Sequence, residues 1–138
     1  AQQIDAEKYS QATPEAALKS IVTALEKRDL EYWIRYLITP ADTQRLAEKW
    51  GSIDSAALMN ADDRHAPKLK KQIDCINEML TAGKSTSGEE NGTKFTRYQS
   101  DSKFLQLDLQ PDGRWCMNIA RSNELMKAAA ATPAPGNE

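Results

Sequence analysis

The sequence predicts an α+β domain: N-terminal helices packed on a curved, antiparallel, four-stranded sheet. Three observations carry this. Apolar residues recur at helical spacing from residue 13 to about residue 82. At Lys84 the pattern changes to short alternating runs. Those runs are separated by tight-turn signals, Asn91-Gly92 and Pro111-Asp112-Gly113.

Thr13-Pro14-Glu15 opens the first helix with a hydroxyl N-cap, a proline whose missing N–H costs nothing there, and an acid in the first turn. Leu18, Ile21, Val22 and Leu25 then form one apolar stripe. Asp29 is expected to cap a second segment, with Leu30, Trp33, Ile34 and Leu37 at the same spacing. Thr39-Pro40 restarts the signal, and Leu46, Ala47 and Trp50 share a face before Gly51. Residues 55–61 add a turn or two, and the longest helix spans about 67–82, closed by Gly83. On it Leu69, Ile73, Ile76 and Leu80 make a narrow arc, with Cys75 on its flank.

Strands are expected at about 84–90, 93–100, 103–110 and 114–121, turning at Asn91-Gly92, near Asp101 and at 111–113. The first lacks a large apolar residue, which suits an exposed edge. Loop length at the last turn decides the register. A two-residue loop would pair Leu109 with Cys116. A three-residue loop pairs Leu109 with Trp115, Leu107 with Met117 and Leu105 with Ile119, placing all six apolar residues on one face. Proline, aspartate and a left-handed glycine fit that loop. The long helix should pack on this face, and Cys116 then shares the other with Gln106, Asp108 and Asn118. A Cys75–Cys116 disulfide would have to cross the sheet, so both thiols are expected free.

At 138 residues the chain is one domain: an extension over 1–12, the α+β body over 13–121, and a short helix with an Ala/Pro-rich tail over 122–138. The net charge of −2 gives no field for nucleic acid. The densest basic cluster, Arg64, Lys68, Lys70 and Lys71, lies beside Asp62 and Asp63 and reads as a solvated helix start. No stretch approaches the ~20 apolar residues of a membrane span. The opening "AQQIDAEKYSQ" suits a mature secreted or periplasmic chain after signal-peptide removal.

The segments "TPEAALKSIVTALEKRDLEYWIRYLI" and "PDGRWCMNI" resemble the opening helix pair and closing strand of the nuclear-transport-factor-2-like (NTF2-like, cystatin-like cone) superfamily, in particular its small secreted members of unknown function. The resemblance implies a cone-like sheet around a pocket. Two features depart from it. Residues 40–62 read as helical where such domains place a strand or hairpin. The Asp/His or Asp/Tyr sets of the enzymatic members also have little counterpart in a chain with one histidine.

His65, in "DDRHAPK", lacks a second imidazole or thiolate at ligand spacing, so no metal is expected. No phosphate loop, serine elbow or Cys-x-x-Cys occurs, and no catalytic residue or cofactor is assigned. Asn91-Gly92-Thr93 is formally a glycosylation acceptor, but the hairpin turn accounts for it. Trp33, Tyr36, Trp50, Arg97, Tyr98 and Trp115 are the candidate lining of a pocket for a small apolar or anionic ligand. Core filling is the plainer use of those aromatics. The expected function is a non-catalytic small-ligand-binding or protein-interaction module, with a homodimer through the outer sheet face as its assembly. The alternative is a cone-type isomerase or hydrolase using a polar residue inside the pocket.

Overall fold

The computed structural model describes residues 9–60, 64, 66–100 and 103–131. Helices come first: α1 (Pro14–Glu26), the short turn α2 (Leu30–Tyr32) widening into a π-helical turn (Trp33–Leu37), α3 (Pro40–Trp50), α4 (Ile53–Asn60) and α5 (Ala66–Ala82). A meander follows, β1 (Lys84–Glu90), β2 (Thr93–Ser100), β3 (Lys103–Leu109) and β4 (Trp115–Asn118), in sheet order β1-β2-β3-β4. The final helix is α6 (Ile119–Ala131). The architecture is the predicted α+β arrangement of helices and a four-stranded antiparallel sheet.

The local signals act as their chemistry requires. The Thr13 hydroxyl accepts from the Ala16 N–H at 3.1 Å to start α1, and Thr39 caps α3 in the same way through the Asp42 N–H. Asn91 and Gly92 both take positive φ, 51° and 80°, as a type I′ hairpin demands. The last turn is the three-residue loop: Gly113 has φ 89°, and Leu109 pairs with Trp115 and Leu107 with Met117.

Alternation along β3 and β4 sends Leu105, Leu107 and Met117 to one face, where α5 covers β2 and β3 and α1 covers β4. The long helix therefore lies on the predicted face, with its main packing against β2 and β3. Leu18, Ile21 and Leu25 of α1 and Ile76 and Met79 of α5 fill this layer to near-zero exposure. Each such side chain contributes about 1.5–3 kcal/mol.

Three expectations need correction, and the N-terminal extension packs onto the body from residue 9 on. Tyr9 and Gln11 are buried, the Trp115 N–H donates to the Gln11 carbonyl, and the Gln11 amide reaches the Tyr36 and Trp115 carbonyls. Asp29 does not cap with its side chain, which accepts the Tyr9 hydroxyl at 2.8 Å. The stretch 33–37 is π- rather than α-helical. Finally, β4 stops at Asn118, and Ile119 starts α6 instead of pairing with Leu105. The Asn118 side chain accepts from the Arg121 N–H at 2.9 Å as an N-cap, which favours helix over strand there. Ser122 then takes the place of the missing strand, its buried hydroxyl accepting the Gln106 N–H of β3 at 2.9 Å. The turn near Asp101, His65 with its neighbouring aspartates, and the Ala/Pro tail from residue 132 lie outside the described residues.

Two glycines give a graded test. A Cβ on Gly113 would meet nothing within 4 Å, so Gly113→Ala is expected to cost only its left-handed backbone strain, about 1–2 kcal/mol. A Cβ on Gly83 would sit 2.6 Å from the Met79 carbonyl oxygen, so Gly83→Ala must move the end of α5 and should cost more. Urea unfolding midpoints of the two variants check the order.

Candidate functional site

Two concave regions lie on different sides of the fold. On the outer sheet face, directly paired residues carry polar side chains: Arg97 opposite Gln106, Gln106 opposite Asn118, and Asp108 opposite Cys116. Gln106, at 2% exposure, is the hub. Its Oε1 accepts from Arg97 at 2.8 Å, and its Nε2 donates to Glu90 at 3.2 Å and to Asp108 at 2.9 Å. Arg121 of α6 donates to Glu90 at 3.0 Å, and Asn118 donates to Asp108 at 2.8 Å. The hydrogen bond from Arg121, with further help from Gln106 and Arg97, holds the Glu90 carboxyl below the usual carboxylate range. Two adjoining grooves of about 510 and 630 Å³ open over this network and share Asp108 and Asn118.

The floor of the smaller groove includes Asp42, 1% exposed. Its carboxylate accepts the Thr39 hydroxyl and the Ile119 and Ala120 backbone N–H groups, and it pairs with Arg45. An acid at the third position of α3 thus also caps the start of α6, where the helix dipole favours negative charge. Every acid at the base of this region is committed to donors. That suits a scaffold and leaves no uncommitted general base.

The second region is a cavity of about 250 Å³ among the helices. Its floor is Leu30, Trp33 and Ile34 of the α2–π segment and Leu69 of α5, all buried. Half-buried Leu46 of α3 and Ile119 of α6 form the sides. The rim holds exposed Lys68 and Asn123 and half-buried Gln72. The Trp33 indole N–H is sealed from water and meets no acceptor among the described residues. π-helical turns concentrate at functional sites, and this one supplies two of the lining residues, Trp33 and Ile34.

The six residues expected to line one pocket are distributed over the molecule. Trp33 lines the helical cavity. Tyr36 stacks on Tyr32 with ring centroids 4.8 Å apart, beneath Arg114. Trp50 ends α3 under the Lys49 ammonium. Tyr98 and Trp115 are half-buried on the helix-facing side of the sheet. Arg97 belongs to the outer-face network, 4.7 Å above the Phe95 ring. Of these, the structure brings only Trp33 to an enclosed cavity. Sequence reasoning missed Lys68, Gln72, Leu46 and Ile119 as co-lining residues, because they come from three separate elements whose docking no local pattern specifies. Among the described residues there is no cluster of His, Cys, Asp or Glu able to hold a metal, and no helix is long and apolar enough to cross a membrane.

Both cysteines are free. Cys116 is buried on the outer-face side, its Sγ donating to the Tyr36 carbonyl and accepting from Gln11. Burial pushes its thiol from the usual 9.0 up to about 11. A raised thiol pKa means that the folded state keeps the proton longer. Its stability contribution is therefore complete below pH 9.0 and is lost as pH rises toward about 11. Unfolded, unreduced protein should titrate two thiols, and native Cys116 should resist alkylation until that alkaline window; rapid labelling at neutral pH would contradict its placement.

Asp42→Ala is expected to cost about 3 kcal/mol or more, since it removes three hydrogen bonds to a buried carboxylate and leaves the Ile119 and Ala120 N–H groups without it. Arg45→Ala, removing a partner that is half exposed, should cost less than about 1 kcal/mol. Chemical denaturation of the two variants measures the difference.

Compared with protein-family models, curated proteins and solved structures, the chain matches none.

Proposed function

We propose that the protein is a non-catalytic binding module that takes a small ligand with an apolar body into the cavity between the π-helical turn, α3, α5 and α6. The observation that carries this is the cavity's construction: an apolar floor sealed by four buried side chains beneath a polar rim. Such a layout is typical of small-molecule sites. Two features support it. The space between sheet and helices is occupied by core side chains among the described residues. The Trp33 N–H, buried without an acceptor, is a cost of about 1–3 kcal/mol that stability alone does not explain.

The order of elements supports the NTF2-like reading, with helices leading through one long helix into an antiparallel meander. α3 and α4 depart from it where those domains place a strand or hairpin. A cone-type enzyme would need an acid or base free to move a proton. Asp42, Glu90 and Asp108 are instead tied to donors of the fold.

The test is a titration of 15N-labelled protein with 1-hexanol, a neutral apolar probe. Amide shifts should concentrate at Leu30–Ile34, Leu46, Leu69 and Ile119, and Leu46→Phe, which adds volume to a wall, should weaken binding several-fold. Shifts gathered at Asp108 and Asn118 would move the site to the outer sheet face and overturn the assignment, as would no shifts at all.

A further inference from the structure

The cavity's charge pattern points further, and we infer that its ligand is a monoanion, a short carboxylic acid whose head group sits at Lys68. This rests on the cavity reading above and adds the chemistry of the head group. Lys68 is the one charged side chain in the lining, and no carboxylate lines the cavity among the described residues. It lies in the first turn of α5, a turn without an acidic residue. The ammonium and the positive end of the helix dipole therefore act with the same sign on whatever occupies the rim.

Each alternative class meets a physical obstacle. A cationic head would be repelled by Lys68. A sugar or nucleotide would bury several hydroxyls against Leu30, Ile34 and Leu69, where the Trp33 N–H is the one polar group of the floor. A dianion would find only one neutralising charge. A carboxylate places one oxygen on the ammonium, and the second can accept from the Gln72 or Asn123 amide, both at the rim. Size follows from volume. A cavity of about 250 Å³ lies below the ~300–1,000 Å³ of sites for drug-sized ligands, so it suits a short-chain acid and not a long one.

The experiment compares hexanoate with its neutral isostere hexanamide at neutral pH by isothermal titration calorimetry. Hexanoate should bind about ten-fold more tightly, the usual advantage of a charge-assisted hydrogen bond over a neutral one. Lys68→Gln should reduce that preference to about two-fold or less, read as the ratio of acid to amide binding in the same variant. Lys71→Gln, an exposed neighbour on α5 that does not line the cavity, should leave the preference intact. Circular dichroism verifies that both variants fold. Equal binding of acid and amide to the natural protein overturns the anionic head group and leaves the cavity reading standing. A preference that survives in Lys68→Gln, or that Lys71→Gln also removes, overturns the role of Lys68. Absence of binding by both probes overturns the inference and the cavity reading together.

Discussion

Asp42 holds the two halves of the fold to each other. The helices before it and the meander after it are joined in sequence only through α5 and its closing glycine. In space, the first turn of α3 meets the end of β4 at this carboxylate. Thr39 precedes α3 and donates its backbone N–H to the Met117 carbonyl, so the chain enters the helix already paired to the last strand. Three residues later Asp42 accepts the first two N–H groups of α6. One buried acid thereby fixes where α3 begins, where β4 ends and where α6 begins. Its desolvation is compensated because all its partners are donors, two of them backbone groups that would otherwise be orphaned at a helix start.

That junction explains the unequal faces of the sheet. On the inner face the alternation of β3 and β4 delivers leucines and a methionine to α1 and α5, where they are buried. On the outer face the same alternation delivers Gln106, Asp108 and Asn118. There α6, turning away at residue 119, leaves open grooves instead of a covering layer. The polar side chains of that face are spent on one another. Arg97 and Arg121 converge on Glu90 from β2 and α6, and the Gln106 amide links Glu90 to Asp108. Such a network pins the register of β2 and β3 and the rotation of α6.

What was legible in the sequence was local. Asn91-Gly92 and Pro111-Asp112-Gly113 specify turns through backbone φ, and the two-residue period then fixes every face assignment, including that of Cys116. The same period was enough to show that Arg97 and its neighbour Tyr98 cannot line one pocket, because adjacent strand residues point to opposite faces. The start of α6 was also partly readable. Asn118 is a good N-cap, and the run "IARSNELMKAAAA" holds neither glycine nor proline. Other features were hidden because they depend on docking. Gln11 finds its acceptors 25 and 104 residues away, and Asp29 serves Tyr9 rather than its own helix. The π-helical turn over 33–37 follows a spacing that reads equally as an α-helix.

The helical cavity belongs to this hidden class, and its walls trace back to the Asp42 junction. The Thr43 hydroxyl donates to the Ile34 carbonyl, tying the π-helical turn to α3 one residue after Asp42. Leu46 projects from the next turn of α3. Ile119, whose N–H Asp42 accepts, is the first residue of the α6 wall, and Asn123 follows one turn later at the rim. Three of the four walls are therefore positioned by contacts clustered over residues 39–43, and only the α5 wall, which carries Lys68, is held independently through its packing on α1 and the sheet. A cavity built this way has a fixed floor and one separately anchored side. Lys68 and Leu69 stand on the side whose position does not depend on the clamp, whereas Trp33, Ile34, Leu46 and Ile119 stand on the clamped sides.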